Sequence, residues 1–303
     1  MKSLLVGLFL FFHFNLQAQT SHELERINFY PKVKAYVKID YSYQTHFIST
    51  PNNTLKSSEV RNYKNTFNTT YAYKLDWFFL GTTVYYEVAS ESAANYGIPS
   101  KKRYSSQGFK EPEFFLKTRL REQHNDKGNI DLYLSFSDSY GTREIGKSSA
   151  NRLNGGNTLT ARINHGMHEN KWEFSNDLEY TFFDEGEEQN DFTKMMHDLG
   201  SYNIFNYLFL AQYQVNPWLF LNSGIGIEYR TVQEISERVG EKREIQEGTG
   251  SLFRLGVKRP LSEWSLVEFR YELRRSSYFV NGRTSFDGDT SQNSFLPSFI
   301  QGF

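Results

Sequence analysis

The chain of 303 residues has no cysteine, so disulfides, thiolate metal sites and a lipid-modified N-terminal cysteine are excluded. It has almost no net charge. Lys and Arg number 34 against 35 Asp and Glu, a balance of -1, and nothing points to a nucleic-acid partner. It has no long apolar run. The nine residues "LLVGLFLFF" at positions 4–12 are too few for a membrane-spanning helix, which takes roughly 20. Catalytic signatures are missing as well: no G-x-S-x-G, no H-E-x-x-H, no phosphate-binding glycine loop and no EF-hand pattern.

What the chain does have is aromatic rings, 27 Phe and 20 Tyr, on a mean hydropathy of -0.61. Large apolar side chains on a chain that is polar on average imply strict alternation. Period-2 alternation recurs in twelve segments, with apolar positions spanning 33–43, 63–73, 78–88, 114–120, 130–136, 159–167, 172–182, 205–215, 219–229, 253–257, 267–273 and 295–303. Within 267–273, Val267, Phe269, Tyr271 and Leu273 are separated by Glu268, Arg270, Glu272 and Arg274. A helix would scatter those charges around its circumference, whereas a strand puts them all on one face.

The connections alternate between short ("KLD", "EQHNDKG", "HEN", "VNP", "KRPLS") and long, charged ones such as "DEGEEQND" and "SERVGEKREIQE". An up-and-down sheet with turns at one end and loops at the other produces this rhythm. Trp77, Trp172, Trp218 and Trp264 each follow a short connection, where amphipathic indoles suit a membrane–water boundary. Upstream, Lys2, the apolar run and Ala18 read as a secretory leader over residues 1–18, followed by a short periplasmic segment, 19–32, and a single domain, 33–303.

Strands with one greasy and one charged face need a dry place for the greasy one. The charged face here is too ionic to be a soluble core, so the apolar face is expected to meet lipid. In lipid the sheet must close, which gives an all-β, transmembrane, up-and-down antiparallel barrel of about twelve strands. With these strands and the terminal "SFIQGF", the chain resembles a Gram-negative outer-membrane β-barrel protein. The resemblance implies an outer-membrane location with outer-membrane lipids and lipopolysaccharide as surroundings. It also implies that the assembly machinery reads a C-terminal signal, carried here by Phe299 and Phe303. Gln301 and Pro297 depart from the usual ending, and Pro297, which lacks a ladder donor, suits a bulge or a strand end.

The polar face supplies the expected lumen: Lys117, Arg119, Asp131, Arg162, Asp177, Arg254, Glu268, Arg270, Glu272 and Arg274. Hairpin geometry suggests Arg119 opposite Asp131, Arg162 opposite Asp177, and Arg254 opposite Glu268. Eight strands leave a filled interior and 16–18 an aqueous channel, so twelve leave the bore to be decided by its lining. A porin-like channel for passive or gated passage of small polar solutes is the expected function. The alternatives are a closed barrel whose loops bind a surface partner or lipopolysaccharide, and a lipid hydrolase. No catalytic residue, metal site or cofactor is expected. None of His22, His46, His124, His165, His168 and His197 has Ser two positions later, as the outer-membrane phospholipase resemblance would need.

Overall fold

The computed structural model describes residues 33–49, 59–92, 103–122, 128–145, 147, 150–191, 194–237, 242–245, 247–281 and 286–303. The leader and residues 19–32 lie outside the described residues.

Among the described residues, seventeen strands make one sheet: β1 (Ala35–Ser49), β2 (Glu59–Leu75), β3 (Phe78–Ser92), β4 (Arg103–Phe109), β5 (Glu113–Arg121), β6 (Asn129–Ser137), β7 (Arg143–Ile145), β8 (Gly156–Glu169), β9 (Trp172–Asn190), β10 (Met195–Leu199), β11 (Tyr202–Asn216), β12 (Leu219–Arg230), β13 (Gln233–Glu237), β14 (Lys242–Ile245), β15 (Gly248–Ser262), β16 (Ser265–Asn281) and β17 (Phe286–Gly302). β4 and β5 form one stave, broken around Glu111, because β3 pairs with both. β7, β10, β13 and β14 are short additions beyond the wall. Twelve staves remain, each antiparallel to its neighbours, matching the twelve segments of the sequence.

The barrel closes between β1 and β17, from Tyr36 opposite Gly302 to Ser49 opposite Asp289. That ladder is interrupted between the Asp40–Ser298 and Tyr43–Phe295 pairs, and Pro297, which has no N–H to donate, lies in the gap. Phe303 continues the closure: its carbonyl accepts from the Lys34 amide at 2.9 Å and its own amide donates to Ala35 O at 2.8 Å.

At one end four hairpins turn on two residues: Asp76–Trp77, Asn170–Lys171, Pro217–Trp218 and Glu263–Trp264. Asp76 and Asn170 supply the positive φ of 56° and 54° that such turns demand, a geometry Asx residues tolerate. At the other end the wall is extended. The acidic "DEGEEQND" run, expected as a loop, is mostly strand. β9 continues through it to Asn190 because β7 and β10 pair with its upper part. "SERVGEKREIQE" likewise supplies most of the β13–β14 hairpin, which joins β10 to β16.

The alternation sorts side chains by face. Ile39, Phe67, Leu80, Leu178, Ile225, Ile227, Phe253, Leu255, Phe269 and Phe295 are exposed on the outer surface, and the ionic residues between them point inward. Along β9 the apolar band runs ten steps, from Trp172 to Phe182, about 25 Å at the usual rise and strand tilt. Its outer margin carries a recurring device in which a Tyr hydroxyl donates to an Asn carbonyl on the next strand. Tyr41 bonds Asn65 at 2.6 Å, Tyr180 bonds Asn203 at 2.7 Å and Tyr271 bonds Asn293 at 2.7 Å. In the middle of the band Tyr207 satisfies Asn176 in the same way at 2.7 Å, so the amide carbonyl is not left bare toward lipid.

Candidate functional site: a charged chamber over a packed floor

Inside the barrel lies a chamber of about 560 Å³. Seven of the expected lumen residues line it: Lys117, Arg162, Asp177, Arg254, Glu268, Arg270 and Arg274. Glu272 joins this wall through Arg254, at 2.7 Å, and Arg270, at 3.3 Å. Arg119 and Asp131 also point inward, but they form a buried pair below the chamber, Nε to Oδ1 2.7 Å and Nη2 to Oδ2 3.1 Å.

The Arg119–Asp131 register is as expected. The other two pairings are corrected. Arg162 faces Glu179, at 3.8 Å, while Asp177 faces Asn164 and accepts from its amide. The hairpin turns on Asn170–Lys171, one residue later than "HEN" suggests, and shifting a turn centre by one moves every partner by two. Arg254 faces Glu272 and Glu268 faces Lys258. There Pro260 is no turn residue: a register shift between Pro260 and Ser262 absorbs it inside β15, and the turn falls on Glu263–Trp264.

On the β12–β15–β16 wall, Glu228, Arg254, Lys258, Glu268, Arg270, Glu272 and Arg274 each meet an opposite charge. Arg274 binds Glu228 at 2.7 Å, Arg270 lies between Glu268 and Glu272, and Lys258 stands opposite Glu268. Across the bore, Lys38 binds Asp40 at 2.9 Å, and the Glu113 carboxylate accepts from both the Tyr85 and Tyr133 hydroxyls. Arg162 sits over the Tyr133 ring, 5.0 Å from its centroid, and Phe115 stacks on that ring. Such a lining is close to neutral and selects little by charge.

The chamber has a floor that the alternation alone does not announce. At the turn end each of the twelve staves contributes a buried inward residue: Tyr36, Ala72, Phe79, Lys117, Asp131, Asn164, Ser175, Gln212, Phe220, Lys258, Leu266 and Ile300. Val33, Tyr36, Ala72, Phe79, Phe115, Leu266 and Ile300 form one apolar cluster there. Gly81 makes room for it, since a Cβ at that position would overlap the Phe115 ring. The sequence signal for the floor is a set of apolar doublets that break the alternation: Phe78–Phe79, Phe114–Phe115, Leu219–Phe220, Leu266–Val267 and Phe299–Ile300.

Above the chamber, the connection from β6 to β8 folds against the inner wall. Arg152 Nε donates to Glu87 of β3 at 2.7 Å and its Nη1 to Ser106 of β4 at 3.1 Å, while Lys64 of β2 binds the same Glu87 at 2.7 Å. Asn154 N donates to Glu111 at 2.7 Å. Lys147 anchors the connection to Asp191 at 2.6 Å. The Lys147 bond holds the Asp191 carboxyl below its ordinary range, and the same bond raises the Lys147 ammonium.

Trp77, Trp218 and Trp264 occupy the two-residue turns and Trp172 begins β9, with Trp77, Trp172 and Trp264 exposed. Phe299 and Phe303 both present their rings on the outer surface. Among the described residues no group of three His, Asp or Glu side chains is placed to hold a metal ion.

No family model matches the sequence, and no curated protein matches it. Solved structures do share its fold. An outer-membrane channel of Pseudomonas putida F1 is 12% identical, over 89% of this chain and 96% of that one, with a TM-score of 0.62. The β domain of the Bordetella autotransporter Brka is 10% identical, over 89% and 100%, with a TM-score of 0.51. The transport unit of the Escherichia coli autotransporter AIDA-I is 10% identical, over 93% and 95%, with a TM-score of 0.50. By its closed twelve-stave wall and its apolar outer band, the chain has the fold of an outer-membrane β-barrel.

Proposed function

We propose that the barrel is a gated channel for small polar solutes, with the chamber as its waiting room and the packed floor as its closed gate. The observation that carries this reading is the contrast in lining. The chamber is charged, internally neutralised and large enough for a small solute. The floor beneath it is apolar over the β16–β17–β1–β2–β3–β5 arc, and hydrophobic constrictions close pores by excluding water. Passage then requires a rearrangement of Phe115 and its neighbours, not a standing aqueous path. No chemistry is assigned to the charged residues, whose role is to replace hydration. In this reading the tryptophans anchor the periplasmic interface, and Phe299 and Phe303 are what the assembly machinery reads.

Single-channel recording in planar bilayers tests the proposal. The wild type should show rare, brief openings, and Phe115→Ser or Ile300→Ser should lengthen them or give steady current. A large steady conductance in the wild type would mean that the floor does not close. Silence in the wild type and in both variants would favour a closed barrel whose extended outer rim binds a surface partner.

A further inference from the structure

The inner wall formed by β17, β1 and β2 carries polar atoms with nothing to bond. Asp40 Oδ1, Ser42 Oγ, Thr66 Oγ1, Asn68 Oδ1 and Ser298 Oγ have no hydrogen-bond partner among the described residues. Asp40, Ser42, Thr66 and Ser298 are more than nine-tenths buried. Buried polar atoms are almost always paired, so five exceptions together call for a ligand or for ordered water. The register makes them one patch. Ser298, Asp40 and Asn68 form a row across three strands, and Ser42 with Thr66 forms the next row. Strand spacing and rise give the patch a size of about 10 Å by 7 Å. Asp40, Ser42 and Asn68 line the chamber directly.

The patch can satisfy a ligand that offers donors. An ionised ligand is disfavoured, because Lys38 already holds the other Asp40 oxygen and the charges across the chamber are engaged with one another. Inserting a charge would cost those pairs or leave the newcomer desolvated and unpaired. A neutral molecule with several hydroxyls meets neither penalty. Its C–H surface has a complementary boundary in Leu208, Leu210, Leu266 and Ile300, which line the chamber beside the floor.

We infer that the chamber is a binding site for a neutral polyhydroxylated solute of the sugar class, held by Asp40, Ser42 and Asn68. This deepens the channel reading and rests on it for its biological meaning, but the binding itself can be measured without transport. The experiment is isothermal titration of the full chain, folded in detergent, with glucose and with sucrose, and with lysine and citrate as ionised comparators. Heat-modifiable gel mobility confirms folding of each variant. At least one sugar should bind saturably, and both Asn68→Leu and Ser42→Ala should weaken it, the first by about tenfold for a lost buried hydrogen bond. Absence of saturable heat with both sugars would show that water alone fills the patch and would overturn the inference. So would tighter binding of lysine or citrate, or unchanged affinity in folded Asn68→Leu. Sugar binding by a barrel that never conducts would sink the channel reading alone, and conduction without sugar binding would sink only this one.

Discussion

Ile225 stands on the outer face of β12, 62% exposed and midway between Leu219 and Arg230. In a soluble protein, replacing such a residue with arginine would be nearly free, within about 0.5 kcal/mol. If the outer face meets acyl chains, the same change puts a guanidinium near the bilayer midplane at a cost of about 2–4 kcal/mol. The structure offers no relief nearby, because the flanking outward residues on β11 and β15 are Phe209 and Phe253. Taking about 3 kcal/mol, the folding equilibrium should fall roughly 150-fold. A matched substitution at Thr249, on the same face but at the outer edge, should cost only about 0–1 kcal/mol. Reversible urea unfolding in phospholipid vesicles measures both. Equal, small costs for Ile225→Arg and Thr249→Arg would mean that no lipid lies against β12, and the assignment of its outer face would be wrong.

Two further outcomes follow from individual contacts. Arg119→Ala or Asp131→Ala breaks a buried ion pair by removing one member, so each should destabilise by about 3–5 kcal/mol, and the double variant by less than the sum. The same urea titration checks this. The Lys147–Asp191 anchor is pH-dependent in a definite direction. Because the Asp191 carboxyl is lowered, its contribution is complete above the ordinary aspartate value of about 4 and disappears as pH falls through the lowered value. Because the Lys147 ammonium is raised, the loss on the alkaline side begins only above the ordinary lysine value of about 10.4. Amide exchange over residues 150–154 should be faster in Lys147→Gln than in wild type at pH 7, and the difference should shrink as the pH is lowered below about 4. A difference that does not shrink with acid would show that the anchor is not ionic.

The architecture was legible because two local rules agree. Alternation fixes the face of each residue, and the rhythm of turn and loop fixes which ends meet, so twelve segments became twelve staves. Register was less legible. "EQHNDKG" brackets a turn whose partners follow from symmetry, and Arg119–Asp131 came out correctly. "HEN" and "KRPLS" mislead because strands run into them: a two-residue turn on Asn170–Lys171 and a proline tolerated inside β15 each displace the pairing. The lumen was readable as a set of ionic residues but not as a chamber. Its floor rests on apolar doublets that violate the alternation used to find the strands. Its upper boundary depends on Arg152 reaching Glu87 across 65 positions of sequence, which no local pattern encodes. The orphaned row of Ser298, Asp40 and Asn68 exists only once β1 lies between β17 and β2.

Because the chain has no cysteine, single cysteines can report the whole arrangement in intact outer membranes. With a membrane-impermeant maleimide, Asn206→Cys, Arg254→Cys and Arg270→Cys, all lining the chamber, should label. Ile225→Cys, Phe253→Cys and Leu255→Cys on the outer band should stay unmodified, and so should Phe79→Cys and Ala72→Cys in the floor. Labelling of the outer-band set together with protection of the chamber set would mean that the wall faces the other way.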